Sequence, residues 1–302
     1  MRTGIPLLAL ACALLMVGSP HPAWGAGARG AADPLARLDR NPYDYAARRE
    51  LVEQCLAARE HASAYYHAAW LYWLAPKEHA EAGFAYLADR RLRDRARAAG
   101  AEGAVSIVVG AVTARQRLVD TCLRGTIATQ TSFLQREVSQ LLAEGERNAR
   151  VLAKGDPVVR AALADLSLTV DDALRFEGGS QSRRERLKVL RRAAGLAESG
   201  VSQLPESPGA HRLLGLVHAR RAEMDAQPEL WDSAITEFEA AWRLDPNNIL
   251  LPETLRMLSL RTGRWEEARG WQAMAAVIGE GKCGGDDTSP DAPGGEQAGA
   301  EE

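Results

Sequence analysis

The sequence predicts an all-α protein built from helical hairpins, and three observations favour this fold class. Ala234, Phe238 and Ala241 are spaced four and three residues apart, so they share one face of a helix that turns every 3.6 residues. Pro246 follows five residues later and ends that helix. Ala, Leu, Arg and Glu, which all favour helices, are abundant throughout the chain.

The same spacing recurs, which indicates repeated hairpins rather than one isolated motif. The spacing of four, three and five residues is repeated in Ala193, Ala197, Gly200 and Pro205, and two further units carry related landmarks: Leu51 and Ala64 between Pro42 and Pro76, and Leu255 with Ala268 and Ala275. Pro42 and Pro76 are 34 residues apart, which sets the length of one unit. Stacked units of this kind bury one continuous core between neighbouring hairpins.

These landmarks resemble those of the tetratricopeptide repeat family, whose 34-residue helical hairpins stack into a solenoid. Val52 and Arg256 occupy a position where that family has a small residue. Gly215 and Ala234 are 19 residues apart, farther than in the family, so we expect a lengthened loop around Met224–Glu229. The resemblance implies a scaffold that binds a protein segment or a neighbouring subunit. The fold by itself does not identify that partner.

In that family the first helix of each hairpin lines a concave groove. Mapped onto this sequence, the resemblance implies groove residues in each of three hairpins, among them Arg49, Glu53 and Leu56; Arg212, Leu216 and Arg220; and Glu253, Met257 and Arg261. The mixture of charged and apolar side chains suits peptide recognition.

The N-terminal 25 residues have the layout of a secretory signal peptide. Arg2 precedes an apolar run from Ile5 to Val17, and small residues surround Trp24. We therefore expect an exported protein, with the bacterial periplasm as its compartment. A retained membrane anchor and a lipoprotein modified at Cys12 are the alternatives.

The middle of the chain is helical but lacks the landmarks of the repeat. We expect helices over Lys77–Ala99, Ala101–Cys122 and Val158–Phe176, with a longer helix from Ile127 to about Lys154. The longer helix packs along its neighbours or forms the seam of a homo-oligomer. The predicted segments are a signal peptide at 1–25, a hairpin at 26–76, the atypical long-helix region at 77–178, repeats at 179–279 and a disordered acidic tail at 280–302.

Five aromatic residues fall within the nine positions 65–73, too many to face one core. On a helix, Tyr66, Trp70 and Trp73 lie close to one face. Because aromatic side chains are enriched at interfaces, this face is either a partner or carbohydrate surface, or it packs against the middle helices.

Charge is distributed unevenly. Two basic runs, at 90–97 and 183–192, are either solvated helix faces or surfaces for an anionic partner. Seven acidic residues and one Lys follow from Glu280 onward, which leaves the rest of the chain near neutral and argues against a nucleic-acid-binding protein. Asp171 and Asp172 point apart on a helix, and we expect both to be solvated.

No motif for catalysis, metal binding or a cofactor stands out, so we expect a binding protein and not an enzyme. His211 and His218 occupy packing positions of the repeat, and Cys55 is either a buried thiol or paired with Cys122. The alternative function is an enzyme, or a factor that handles an envelope polymer, with its site in the middle helices.

Overall fold

The computed structural model describes residues 33–100, 103–123, 140, 155–177, 180–225 and 227–283, and it confirms the all-α fold class. Helices account for the regular structure, with no strand in these ranges. The helices are α1 (Pro34–Arg40), α2 (Tyr45–Ala57), α3 (His61–Leu74), α4 (Lys77–Ala88), α5 (Arg90–Ala99), α6 (Ala104–Leu123), α7 (Pro157–Glu177), α8 (Ser180–Gln203), α9 (Pro208–Asp225), α10 (Pro228–Leu244), α11 (Leu250–Arg261) and α12 (Trp265–Cys283).

The chain forms two compact units, Met1–Asp245 and Pro246–Glu302. In the first unit α2 packs on α3 and α9 packs on α10, while α11 packs on α12 in the second. Ala64, Ala234 and Ala268, which share one position of the repeat, are all buried in the second helix of their hairpin. A small side chain there lets the two helices approach closely, so the predicted hairpin register is confirmed.

Helix α3 is the centre of the first unit. It packs against α2, α4, α5, α6, α7 and α9. Tyr65, Leu71 and Leu74 are almost completely inaccessible, as expected of a helix that is apolar on every side. Trp70 and Trp73 are also buried within the unit, so their packing role is visible, whereas an interface role for this aromatic face stays a prediction.

The predicted helix Lys77–Ala99 is in fact two helices, which corrects the expectation from periodicity. Asp89 has an extended backbone and separates α4 from α5. Its side chain accepts hydrogen bonds from the backbone N–H groups of Arg91 and Leu92. This N-cap satisfies donors at the start of α5, and the local hydrogen bonds outweigh the helix propensity of the flanking residues.

The expectation of a long loop around Met224–Glu229 is also wrong. Helix α9 continues to Asp225 and α10 begins at Pro228, so the additional residues lengthen the two helices instead. Pro228 occupies the first turn of α10, where its missing N–H costs nothing.

The predicted division of the chain into five segments stays a prediction. Helix α12 continues to Cys283, past the expected end at Gly279. The segment 1–32, most of the helix expected from Ile127 to Lys154, and the tail from residue 284 lie outside the described residues.

The start of α9 lies directly on the end of α3, although more than 130 residues separate them in sequence. The Ser207 hydroxyl donates to the Leu74 carbonyl oxygen at 2.5 Å. At Gly209 an added Cβ would come within 2.0 Å of the Trp73 carbonyl oxygen, so only glycine fits. At the C-cap of α10, the carboxylate of Asp245 accepts from the Lys77 backbone N–H at 2.7 Å.

We expect Gly209→Ala to lower the free energy of unfolding by about 3 kcal/mol, because backbone atoms on both sides would have to move apart. The matched control is Gly195→Ala, since nothing lies within 4 Å of a Cβ at Gly195 in the middle of α8. That control should stabilise the protein by about 0.5 to 1 kcal/mol. Urea unfolding of both variants measures the difference, and equal stability would show that α9 does not meet α3 in this way.

Candidate ligand-binding groove

The groove residues predicted on α2 lie on an open surface. Arg49 and Glu53 are exposed and form an ion pair at 3.7 Å along their own helix. Leu56 is half-buried and packs against the core. An exposed pair of this kind contributes little to stability and leaves both side chains available.

The groove residues predicted on α9 meet the middle helices. Arg220 donates to the Asp172 carboxylate of α7 at 2.8 Å. Leu216 is half-buried against the core, and Arg212 is exposed. The concave face of α9 is therefore partly covered by α7, which the resemblance to the repeat did not predict.

The groove residues predicted on α11 belong to the second unit. Glu253 accepts from Arg256 at 3.0 Å, and Met257 is 57% exposed. Arg261 is also exposed. The sequence did not separate this hairpin from the rest, because the repeat landmarks continue across Asp245.

Two carboxylates of α7 anchor arginines from two other helices. Asp165 and Asp172 are seven residues apart and share a face of α7. Arg115 of α6 donates to Asp165 at 2.6 Å and to Asp172 at 3.2 Å. With Arg220 this gives two cations and two anions that hold α6, α7 and α9 together.

The neighbouring carboxylate of Asp171 points away from Asp172, as expected, but it faces α8 and is not solvated. It is completely buried and accepts from Arg186 at 2.7 Å. The expectation of a solvated pair is wrong because Arg186, in the second basic run, and Arg115 reach the two carboxylates from opposite sides. A single sequence does not show which arginines lie across from a given helix face.

An aromatic pair lies beside these arginines. The rings of Tyr72 in α3 and Phe84 in α4 are 5.7 Å apart, and Phe84 is 52% exposed. Burial raises the pKa of the Tyr72 phenol, the charge of Asp165 raises it further, and Arg115 and Arg212 lower it. The charges of Asp165, Arg115 and Arg212 therefore act on the phenol of Tyr72.

Arg212 differs from the other two arginines because it has no carboxylate partner among the residues that the structure describes. We call the surface around it the inner groove; its residues are Tyr72, Phe84, Arg115, Asp165, Asp172, Arg212 and Arg220. Sequence reasoning found Arg212 and Arg220 but missed the others, and only the aromatic run at 65–73 hinted at Tyr72.

A second polar cluster is enclosed and has a structural role. The Arg48 guanidinium lies 3.9 Å from the centre of the Trp70 ring and 3.2 Å from His67 Nδ1. Burial lowers the pKa of Arg48 to about 10. The Tyr66 hydroxyl donates to Asp156 at 3.0 Å, which ties α3 to the start of α7.

The remaining candidates give no reactive or metal-binding group in the described part of the chain. Cys55 is a free, buried thiol, and burial raises its pKa to about 12. No cluster of three His, Cys, Asp or Glu side chains is placed to hold a metal ion within the described ranges. None of the described helices is both long enough and apolar enough to cross a membrane.

His211 connects the start of α9 to α10. Its Nδ1 lies 2.7 Å from a Glu237 carboxylate oxygen, and its Nε2 lies 2.9 Å from the Pro205 carbonyl oxygen. Both oxygens only accept hydrogen bonds, so both ring nitrogens donate when the imidazole is protonated. The hydrogen bond to Glu237 is the main cause of a raised pKa at His211.

These features define a class: an all-α protein of packed helical hairpins with a charged and aromatic surface. No family model matches the chain, and no curated protein matches it. Among solved structures, MamA from Desulfovibrio magneticus RS-1 is 17% identical, with 57% of this chain and 97% of that chain covered and a TM-score of 0.29. A human IFIT1 dimer with PPP-AAAA is also 17% identical, with coverage of 82% and 50% and a TM-score of 0.43.

This chain thus spans about half the length of the IFIT1 chain. Both neighbours are tetratricopeptide-repeat proteins. At these scores the superpositions carry no argument of their own, so the likeness to the repeat rests on the hairpin register of Ala64, Ala234 and Ala268.

The raised pKa of His211 predicts a pH dependence of stability. The folded state binds the His211 proton more tightly than the unfolded state does. The stabilisation that this proton provides is therefore fully present below the unfolded pKa of 6.5 and is lost as pH rises through the folded pKa. We expect His211→Gln to cost about 1 kcal/mol at low pH and less at high pH. Urea unfolding of both proteins across this range measures it.

His218 provides the contrast, since burial lowers its pKa. The stability difference between the unaltered protein and His218→Gln should therefore change with pH in the opposite direction. If the difference in the free energy of unfolding between the unaltered protein and His211→Gln were constant with pH, it would contradict the assignment of a protonated imidazole.

Proposed function

We propose that this protein is an exported scaffold that binds a segment of another protein in the inner groove. One observation carries the proposal: Arg212 has no carboxylate partner in the described part of the chain, and its charge acts on the phenol of Tyr72, which forms a partly exposed aromatic pair with Phe84. A cation beside exposed aromatic rings is a common arrangement at the centre of protein interfaces.

The other groove residues supply rigidity. Arg115, Asp165, Asp172 and Arg220 neutralise one another across three helices, so they hold the walls of the groove in place. A side chain that is already held in position loses little conformational entropy when a ligand binds. Arg212 is then free to form a charge-assisted hydrogen bond with a carboxylate or a backbone carbonyl of the bound segment.

The alternative of a catalytic or polymer-handling site in the middle helices would use the carboxylates of α7. Asp165 and Asp172 already accept hydrogen bonds from arginines, and Asp171 is buried against Arg186. This arrangement suits a fixed electrostatic framework better than proton transfer, which needs a group within reach of the substrate. We therefore favour binding.

Export is part of the proposal and rests on the sequence of residues 1–25. We expect the mature protein to begin near Ala26 and to occupy the periplasm. N-terminal sequencing of the protein from fractionated cells tests this. An intact Met1, or a lipid-modified Cys12, would show instead that the N-terminal segment is retained as an anchor.

The groove is tested by photo-crosslinking in the native host. A photoreactive residue at position 212 should capture one protein at least about tenfold more efficiently than the same residue at position 184. Arg184 is the matched control, an exposed arginine on α8. Phe84→Ala should weaken the capture at 212 by about tenfold, because it removes the exposed half of the aromatic pair.

Equal capture of the same proteins from both positions would contradict the groove assignment. Capture that is strong at 212 but unaffected by Phe84→Ala would mean that Arg212 is near the partner but the aromatic pair is not in the site. Mass spectrometry of the captured band identifies the partner.

A further inference from the structure

Exposed apolar side chains are concentrated on the last hairpin, α11–α12. Eight large apolar side chains are exposed in the described part of the chain, and five of them belong to this hairpin: Leu250, Met257, Trp265, Met274 and Val277. The hairpin is much the smaller of the two units, so the density of exposed apolar surface there is high. Such a concentration on a small element marks an interaction site.

A cleft between the two helices gathers part of this surface. It has a volume of about 320 Å³ and is lined by Arg256, Leu260, Trp265, Ala268, Arg269 and Gln272. We call it the terminal cleft. Leu260, Ala268 and the indole of Trp265, which is 62% exposed, give it an apolar lining, and Arg256 and Arg269 add a cation from each helix.

We propose that the terminal cleft docks an acidic amphipathic segment of a partner protein, in which a bulky apolar side chain is flanked by Asp or Glu. The apolar side chain would bury the indole of Trp265, and the carboxylates would meet Arg256 and Arg269. Arginine suits this role because its planar guanidinium binds a carboxylate through two parallel hydrogen bonds.

The existing partners of these arginines are exchangeable. Arg256 pairs with Glu253 at 3.0 Å and Arg269 pairs with Glu266 at 2.7 Å, each three residues away on the same helix. Glu253 and Glu266 are both well exposed. Exposed pairs at this spacing are weak, so a carboxylate held in place by apolar contacts would compete successfully.

Two other occupants fit the cleft less well. A second copy that used the same face would bring no carboxylate from its own cleft lining to meet Arg256 and Arg269, because the lining contains no Asp or Glu. The C-terminal segment 284–302 is acidic, but it contains no Leu, Ile, Val, Met, Phe, Trp or Tyr. It therefore cannot cover the apolar lining of the cleft.

The terminal cleft is a different surface from the inner groove. The cleft lies entirely within the second unit, and none of its lining residues belongs to the inner groove. Arg212→Glu should therefore leave binding at the cleft unchanged, so failure of one assignment is distinguishable from failure of the other.

The experiment uses a random 16-residue peptide library displayed on phage, selected against the protein purified from its native host. We expect enriched peptides with one or more Trp, Phe, Leu or Met residues next to Asp or Glu. A synthetic peptide of the enriched sequence should bind at least about tenfold more weakly to Trp265→Ala and to Arg269→Glu. Val277→Ala is the matched control, because Val277 is 66% exposed on the same helix but does not line the cleft.

Three outcomes would overturn the proposal. Selection that enriches no peptide, or only basic peptides, would exclude an acidic partner. Peptides that bind Trp265→Ala and the unaltered protein equally well would place the site elsewhere. A dimer in sedimentation equilibrium that Trp265→Ala dissociates would make a second copy the occupant.

Discussion

The first unit depends on the burial of one helix, α3, which is apolar on every side. A helix of this kind is stable in water only when other elements cover its whole circumference. The N-terminal hairpin covers one side through α2, and α4 and α5 cover another. The rest of the surface is covered by α6, α7 and α9, which come from later in the chain. The aromatic run at 65–73 therefore determines the arrangement of the helices before and after it.

Close packing around α3 makes the position of α9 specific. Gly209 fits against the Trp73 carbonyl with no room for a side chain, and Ser207 bonds the end of α3. As a result α9 presents Arg220 toward α7, where Arg115, Asp165 and Asp172 complete the charge network. The inner groove is therefore a consequence of how the core closes.

The two proposed surfaces differ in their physical chemistry. The inner groove combines a fixed network of charges with one arginine that has no carboxylate partner in the described chain, which favours a ligand chosen by charge and aromatic contact. The terminal cleft combines one exposed indole with two arginines, and these arginines are held only by weak pairs within each helix. A scaffold with two such surfaces in separate units is suited to holding two protein segments at once, and the avidity of that arrangement depends on whether both can be engaged together.

The sequence by itself determined the all-α class, the hairpin register and most helix positions, because a spacing of three and four residues and helix-ending prolines are local properties. It also supplied Arg212, Arg220 and Met257 as surface residues. It did not determine the break at Asp89, where a single side-chain cap separates α4 from α5. It also did not determine the helical extension of α9 and α10. The tertiary structure alone decided that Asp171 is buried against Arg186 and that Tyr72 and Phe84 lie beside the arginines. Those contacts join helices far apart in the chain, and their partners depend on packing that no local pattern encodes.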